Sequence, residues 1–400
     1  MTQVETPSRI EPCELTTYPA QLADKISTLA AAAATLGSQL HPESAASLAG
    51  LVRVMNCYYS NLIEGHNTRP RDIERALDDE LAGEPERRNL QLEARAHIRV
   101  QSSIDELHAS GKLDEPSSQA FVRWVHEQFY LDAPAELTTI VDARGRGYRM
   151  QPGMWRSESR HDVAVGRHVP PSSAVVPAFM TYFDERFRLG KLGTAARLAA
   201  IAIAHHRFNY IHPFPDGNGR VSRLVAHAMA LRSGIGAHGL WSISRGLARG
   251  LEDAGEYKRM MDLADSPREG ALDGRGNLSL RALETFVTWF IEVALDQIAF
   301  MTTLFELDGL AARLEAYVSR DLQLPAGAVK LCRALLLRGS MPRGDAGLVT
   351  ETPERTARQT LSRLIDAGLV GSVTPKGPVS LRFTSESADV LFPRLFPAQA

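Results

Sequence analysis

Cysteine is scarce in this chain. Only Cys13, Cys57 and Cys332 occur in 400 residues, far apart and odd in number. That pattern excludes a disulfide framework, shows no metal-ligand spacing and fits a reducing cytoplasm. A strong charge of either sign is missing too. The formal net charge is −2, so no global attraction to nucleic acid or an anionic membrane is expected. No basic-then-apolar leader opens the sequence, and the alanine-rich run from Ile26 to Leu36 is too short to span a bilayer. These absences predict a soluble, cytoplasmic protein with no membrane partner. The apolar fraction of 44% is ordinary for a globular protein, and the length allows two or three domains.

One stretch stands out. His212-Pro213-Phe214-Pro215-Asp216-Gly217-Asn218-Gly219-Arg220 is followed by Val221-Ser222-Arg223. The apolar residues Val221, Leu224, Val225, Ala228 and Met229 then recur at helical spacing. The segment therefore reads as a loop feeding a helix N-terminus, whose free N–H groups and positive dipole end suit a phosphate. Gly217 and Gly219 let the backbone approach an anion closely. Asp216 is a hard oxygen ligand suited to Mg²⁺. Arg220 and Arg223, three apart, can meet spread negative charge from one helical face. His212 can take a proton near neutral pH. Together these residues suggest phosphoryl or nucleotidyl transfer with the histidine as base.

The string resembles the Fic family signature, His-Pro-Phe-x-(Asp/Glu)-Gly-Asn-Gly-Arg-x-x-Arg, at every fixed position. The resemblance implies a protein adenylyltransferase that moves AMP from ATP to a Ser, Thr or Tyr hydroxyl of a target protein, and to itself. It implies that His212 is the base and that Asp216 holds Mg²⁺. The Gly217-Asn218-Gly219 backbone and the Asn218 side chain would form an anion hole. Arg220 would hold phosphates, and Arg223 would reach the γ-phosphate. Kinase-like relatives depart from Gly-Asn-Gly in this loop and this chain does not, which favours AMP transfer. Tyr257 would stack on the base, although a core tyrosine fits its pattern equally. Lys258 and Asp265 stand where many relatives have a second tyrosine or an asparagine. The resemblance thus speaks to phosphate handling more than to adenine preference.

Upstream, Ser60-Asn61-Leu62-Ile63-Glu64-Gly65 closes a predicted helix over residues 43–63. Ser60 and Glu64 lie four apart, on one face. The motif resembles the inhibitory motif of Fic proteins, which implies a pairing of Glu64 with Arg223 that keeps out the γ-phosphate. Between 136 and 175, Gly145, Gly147, Gly153 and the prolines 152, 170 and 171 break any helix. Asp162 to Val169 alternates as a short hairpin would. This segment resembles the Fic flap, with Val163, Val165 and Gly166 offering an edge to an extended target segment. His161 and His168 read as surface residues. His205 and His206 read as buried structural histidines at the end of a nearly all-apolar helix.

The expected fold is mainly α, with a helical Fic core, a small β-hairpin flap and a C-terminal winged helix-turn-helix. The expected divisions are an arm draped on the surface plus a first helix ended by Gly37 (1–36), a helical region with the inhibitory helix (37–135), the catalytic core (136–265), a helical bridge (266–323) and the winged unit (324–400). In that last unit Arg355, Arg358, Gln359 and Arg363 mark a recognition helix, with Lys376 on the wing. Ten Lys/Arg face six Asp/Glu from 325 onward, a mild surplus for DNA binding. A dimer is compatible with the sequence. Two further readings stay open: a hydrolase in which Glu64 orients water to remove AMP, and a DNA-binding regulator whose Fic part senses nucleotide.

Overall fold

The computed structural model describes residues 5–142 and 144–397. The N-terminal arm is packed rather than draped on the surface. After a 3-10 turn at Pro7–Ile10, Ile10, Cys13 and Leu15 are buried, and the Pro12 carbonyl accepts from the buried Arg207. Too few turns of helix form there to show apolar periodicity, so the burial was not visible in the pattern. Helix α1 (Ala20–Ser38) runs through Gly37 instead of ending at it; a Cβ there would lie 3.4 Å from Ala237 Cα. Then come α2 (Pro42–Ile63), α3 (Pro70–Leu77) and α4 (Pro85–Ala109), each with proline in its first turn. Helix α5 (Gln119–Tyr130) is capped by the Ser118 hydroxyl.

The region 136–175 holds a longer hairpin than the one alternation indicated, and at a different place. A four-residue helix α6 (Ala135–Thr138) leads into β1 (Thr139–Val141), which pairs antiparallel with β2 (Gly147–Arg149). Residues 162–169 make only one bridge, Val165 with His168. The turn between them has Gly166 at a φ of +61°, as two-residue hairpin turns favour.

Helices α7 (Val176–Arg186), α8 (Thr194–Ile211), α9 (Asn218–Arg232), α10 (Ile243–Arg249), α11 (Glu256–Ala264) and α12 (Leu280–Leu304) follow. Helix α8 is central, with Leu198 through Ala204 buried. It packs on α9, and α12 packs against α1, α8, α10 and α11. By length and composition α12 could cross a membrane, yet its Leu283, Phe286, Val287, Phe290 and Ile298 are buried among those helices.

Helix α13 (Leu307–Ala316) connects to a C-terminal unit of α14 (Ala326–Arg338), β3 (Ser340–Met341), α15 (Ala346–Thr350), α16 (Glu354–Asp366), β4 (Val370–Gly371), β5 (Val379–Leu381) and α17 (Ser385–Leu391). Its sheet runs β3-β5-β4, all antiparallel. The two-residue β3 and the short α17 carry too little pattern to be read in advance. This unit lies along α2. Ser44 Oγ donates to the Leu336 carbonyl at 2.9 Å, Ser47 Oγ to that of Leu381 at 2.6 Å and Tyr59 Oη to that of Leu395 at 3.2 Å.

Candidate active site

Helix α8 stops at His212, which takes a left-handed backbone (φ 51°, ψ 60°) as its C-cap. A five-residue turn follows before α9 begins at Asn218. Phe214 anchors that turn. It is fully buried and stacks on His126 with ring centres 3.8 Å apart. Gly217 caps α9 at φ 79°, and a Cβ there would lie 2.7 Å from Tyr130 Oη, so glycine is required on both counts.

The Asn218 side chain is bonded to the loop itself. Its Oδ1 accepts from the Phe214 N–H at 2.9 Å, and its Nδ2 donates to the Phe214 carbonyl at 2.8 Å. Both ends of the amide pin the loop, while one Nδ2 hydrogen and the backbone N–H groups stay available for an anion hole.

His212 is held by its carbonyl, which accepts from Arg156 Nε at 2.7 Å. Burial lowers the imidazole to about 4, and the positive charges of Arg156 and His168 act in the same direction. The ring is therefore neutral at pH 7 and able to accept a proton.

The two arginines of the signature point to different neighbours. Arg220 is enclosed at 4% exposure. Its Nη1 meets Glu93 Oε1 at 2.6 Å, and its Nη2 donates to Tyr130 Oη at 2.9 Å and to Asp216 Oδ2 at 3.1 Å. The guanidinium also lies over the ring of Phe129. The carboxylate of α4 thus shares the positive charge that the resemblance assigns to phosphates. Tyr130 Oη donates to the same Asp216 oxygen at 3.1 Å, while Oδ1 has no hydrogen-bond partner among the described residues. The Asp216 side chain is 46% exposed.

Arg223 faces α2. Its Nε donates to Ser60 Oγ at 2.9 Å, and its Nη2 donates to the Ser60 carbonyl at 3.1 Å and to Glu64 Oε1 at 2.6 Å. Burial raises the Glu64 pKa, but the charge and hydrogen bond of Arg223 outweigh it and hold the group below its ordinary value. A Cβ at Gly219 would sit 2.2 Å from Glu64 Oε1, so only glycine admits this approach.

His212, Glu64, Gly219 and Arg223 open onto one cleft, with about 1250 Å³ of space including its mouth. Val165 and Gly166 line it from the flap side; Val163, partly buried, stands outside the lining. Tyr257 lines it too, but its hydroxyl is bonded to His205 Nε2 at 2.8 Å and its ring is parallel to that of Trp289, 6.3 Å away. A side chain so engaged belongs to the core as much as to a base site. His205 and His206 are buried, as their pattern suggested. His168 is not a surface residue. It meets the Tyr210 carbonyl at 2.8 Å and Asp265 at 3.3 Å, pinning the flap to the end of α11. Among the described residues no group of three or more His, Cys, Asp or Glu forms a metal cluster. Sequence reasoning missed Glu93 and Tyr130, which no local motif marks, and gave no role to Arg156, which lies in the stretch that resembles the flap.

Residues 118–230 match the Fic/DOC family. Over 75 residues, 19% of its length, the chain is 36% identical to the protein adenylyltransferase Fic of Drosophila erecta and equally to that of Aedes aegypti. The match spans only 15% of each of those proteins. A Fic family protein from Desulfovibrio desulfuricans superposes with a TM-score of 0.53 at 18% identity, covering 93% of this chain and 98% of that one. A Fic domain containing signaling protein from Bacteroides thetaiotaomicron gives 0.52 at 20% identity, over 69% and 95%. These likenesses establish the fold of the helical core.

Proposed function

We propose that this chain, whose residues 118–230 form a Fic domain, transfers AMP from ATP to a hydroxyl of a protein. The observation that carries the reading is one cleft shared by a neutral histidine, a helix N-terminus and a buried arginine. The acceptor hydroxyl oxygen of a Ser, Thr or Tyr bonds to the α-phosphorus, and the α–β anhydride bond breaks. Pyrophosphate leaves, and the hydroxyl proton passes to the His212 imidazole. The backbone N–H groups of Gly217 to Gly219 and the dipole of α9 favour the phosphate charge.

Asp216 suits Mg²⁺, which commonly binds one or two carboxylates together with substrate phosphates and water. Arg220 and Tyr130 both hold Oδ2, leaving Oδ1 as a hard donor. When bound, the ion would neutralise phosphate charge. Arg220 serves this reading by fixing Asp216, and Arg223 by receiving the γ-phosphate.

Glu64 restrains the reaction by occupying Arg223. A carboxylate there repels the γ-phosphate and removes its cation. Labelled ATP tests the reading in the Glu64→Gly protein. Label from the α-phosphate should enter protein, including the chain itself, and label from the γ-phosphate should not. Protein labelling from the γ-position alone would replace AMP transfer with phosphorylation.

The same carboxylate gives a second reading. Glu64 Oε2 has no hydrogen-bond partner among the described residues, and it would orient a water to remove AMP. Release of AMP from a pre-modified protein by wild type, lost in Glu64→Gly, would favour that direction. For the C-terminal unit, exposed Arg355, Arg358, Gln359 and Arg363 on α16 support a winged helix that contacts DNA, although Arg358 is already paired with Glu354. A gel shift that weakens steeply with salt would support this, and no shift at low salt would remove it.

A further inference from the structure

Arg156 belongs to neither the signature nor the flap edge, yet it touches both. Its side chain is 1% exposed. Nε donates to the His212 carbonyl at 2.7 Å, and Nη2 donates to the carbonyls of Ile211, at 3.1 Å, and Pro171. Nη1 pairs with Asp162 Oδ1 at 2.9 Å, and that same oxygen accepts the Ser173 N–H at 2.8 Å. The Arg156 backbone N–H donates to the Pro213 carbonyl at 2.9 Å. One guanidinium therefore grips the end of α8 on one side and both ends of the flap segment, Asp162 and Pro171, on the other.

We propose that Arg156 is a positioning residue that sets His212 against the flap, so that an acceptor held on the flap meets the base in line. The proposal rests on the AMP-transfer reading above.

Two physical arguments support it. The carbonyls of Ile211 and His212 end a helix, where they lack intrahelical donors and a cation is favoured. His212 also has a left-handed backbone, which a non-glycine residue keeps only when its surroundings fix it. Arg156 contacts the carbonyls before, at and after that residue, and so determines where the imidazole points. The charged and titratable groups facing His212 are Arg156, His168, Asp216 and Glu64. Of these, Arg156 is the one bonded to its backbone. A base displaced by an ångström loses about a hundredfold in rate even when every reacting group is present.

The test uses the full chain with Glu64→Gly and compares Arg156→Met, Arg156→Lys and Asp162→Asn. The acceptor is the His212→Ala chain, and the donor is ATP labelled at the α-phosphate. Arg156→Met should lower kcat about a hundredfold while the Kd for ATP stays within about twofold, since no phosphate contact is lost. Arg156→Lys should recover part of kcat. Asp162→Asn should raise the KM for the acceptor more than it lowers kcat, because the flap loses its tether while the His212 carbonyl keeps its donor.

A second readout needs no turnover. In protein labelled with ¹³C-histidine, the His212 ring resonance, assigned by its loss in His212→Ala, should move in Arg156→Met and less in Arg156→Lys. It should hold still in Asp162→Asn. If Arg156→Met does not fold, the other two variants carry the comparison. An unmoved resonance with unchanged kcat in a folded Arg156 variant overturns the proposal. No label transfer by Glu64→Gly alone, with the resonance moving as expected, would instead overturn AMP transfer and leave the positioning intact.

Discussion

Arg220 and Arg223 leave α9 less than one turn apart, both buried and each meeting a glutamate at 2.6 Å. The glutamates differ. Glu93 is enclosed at 7% side-chain exposure and also meets His66. Glu64 ends its helix at the cleft with 33% exposed. A pair closed at both ends suits a fixed framework, whereas one whose acid half borders the cleft suits the latch of the proposed function. Under the proposed function, chemically alike pairs on one helix would serve opposite ends: one holding Asp216 in place, the other withholding Arg223.

Glu93→Gln should separate the two most strongly. Breaking the enclosed pair leaves a buried charge, at about 3–5 kcal/mol, measurable by denaturant unfolding, and AMP transfer should fall because Asp216 loses its orientation. Glu64→Gly should do the reverse. Its cost in stability should be about 1 kcal/mol, as for a partly exposed pair, while transfer rises about tenfold or more, equivalent to about 1.4 kcal/mol. ATP should also raise its melting temperature more than that of wild type. If the two substitutions behaved alike, the distinction between framework and latch would be lost.

Ser60→Ala should act in the direction of Glu64→Gly but less. The Arg223 Nε loses its partner, stability drops by about 1 kcal/mol, and transfer rises only modestly in the same labelling assay. The smallest effect is expected from pH. Burial and nearby cations lower His212 to about 4, so its base form persists as pH falls through the usual histidine value of 6.5. Glu64 is lowered below its ordinary 4.5, burial notwithstanding, by Arg223, so the latch stays ionised over the same range. The ratio of Glu64→Gly to wild-type rates should hold level from pH 8 to about 5.5; a step near 6.5 in either protein would contradict this.

The difference between the two pairs also marks what could be read from residues alone. His212 to Arg223 lie within twelve positions, so a loop, a helix start and their chemistry were legible together. Glu64 entered only through resemblance to a motif, since nothing in α2 shows which arginine lies opposite. Glu93 and Tyr130 sit in ordinary helical patterns and reach Arg220 through tertiary packing, which no local spacing encodes. The loop-pinning bonds of the Asn218 side chain were hidden for a related reason: its polarity was plain, but its bonds to Phe214 depend on how the loop closes. In the flap region, Gly145 and Gly147 were legible as helix breakers, but not as the residues that close and begin the β1–β2 hairpin.

The most direct test of the whole account compares initial rates of α-phosphate label entering protein for wild type, Glu64→Gly and Glu64→Gly combined with His212→Ala. The account predicts low, high and lowest, with the last about a hundredfold or more below the second. Equal rates in the first two, or a double variant as active as Glu64→Gly, would contradict it.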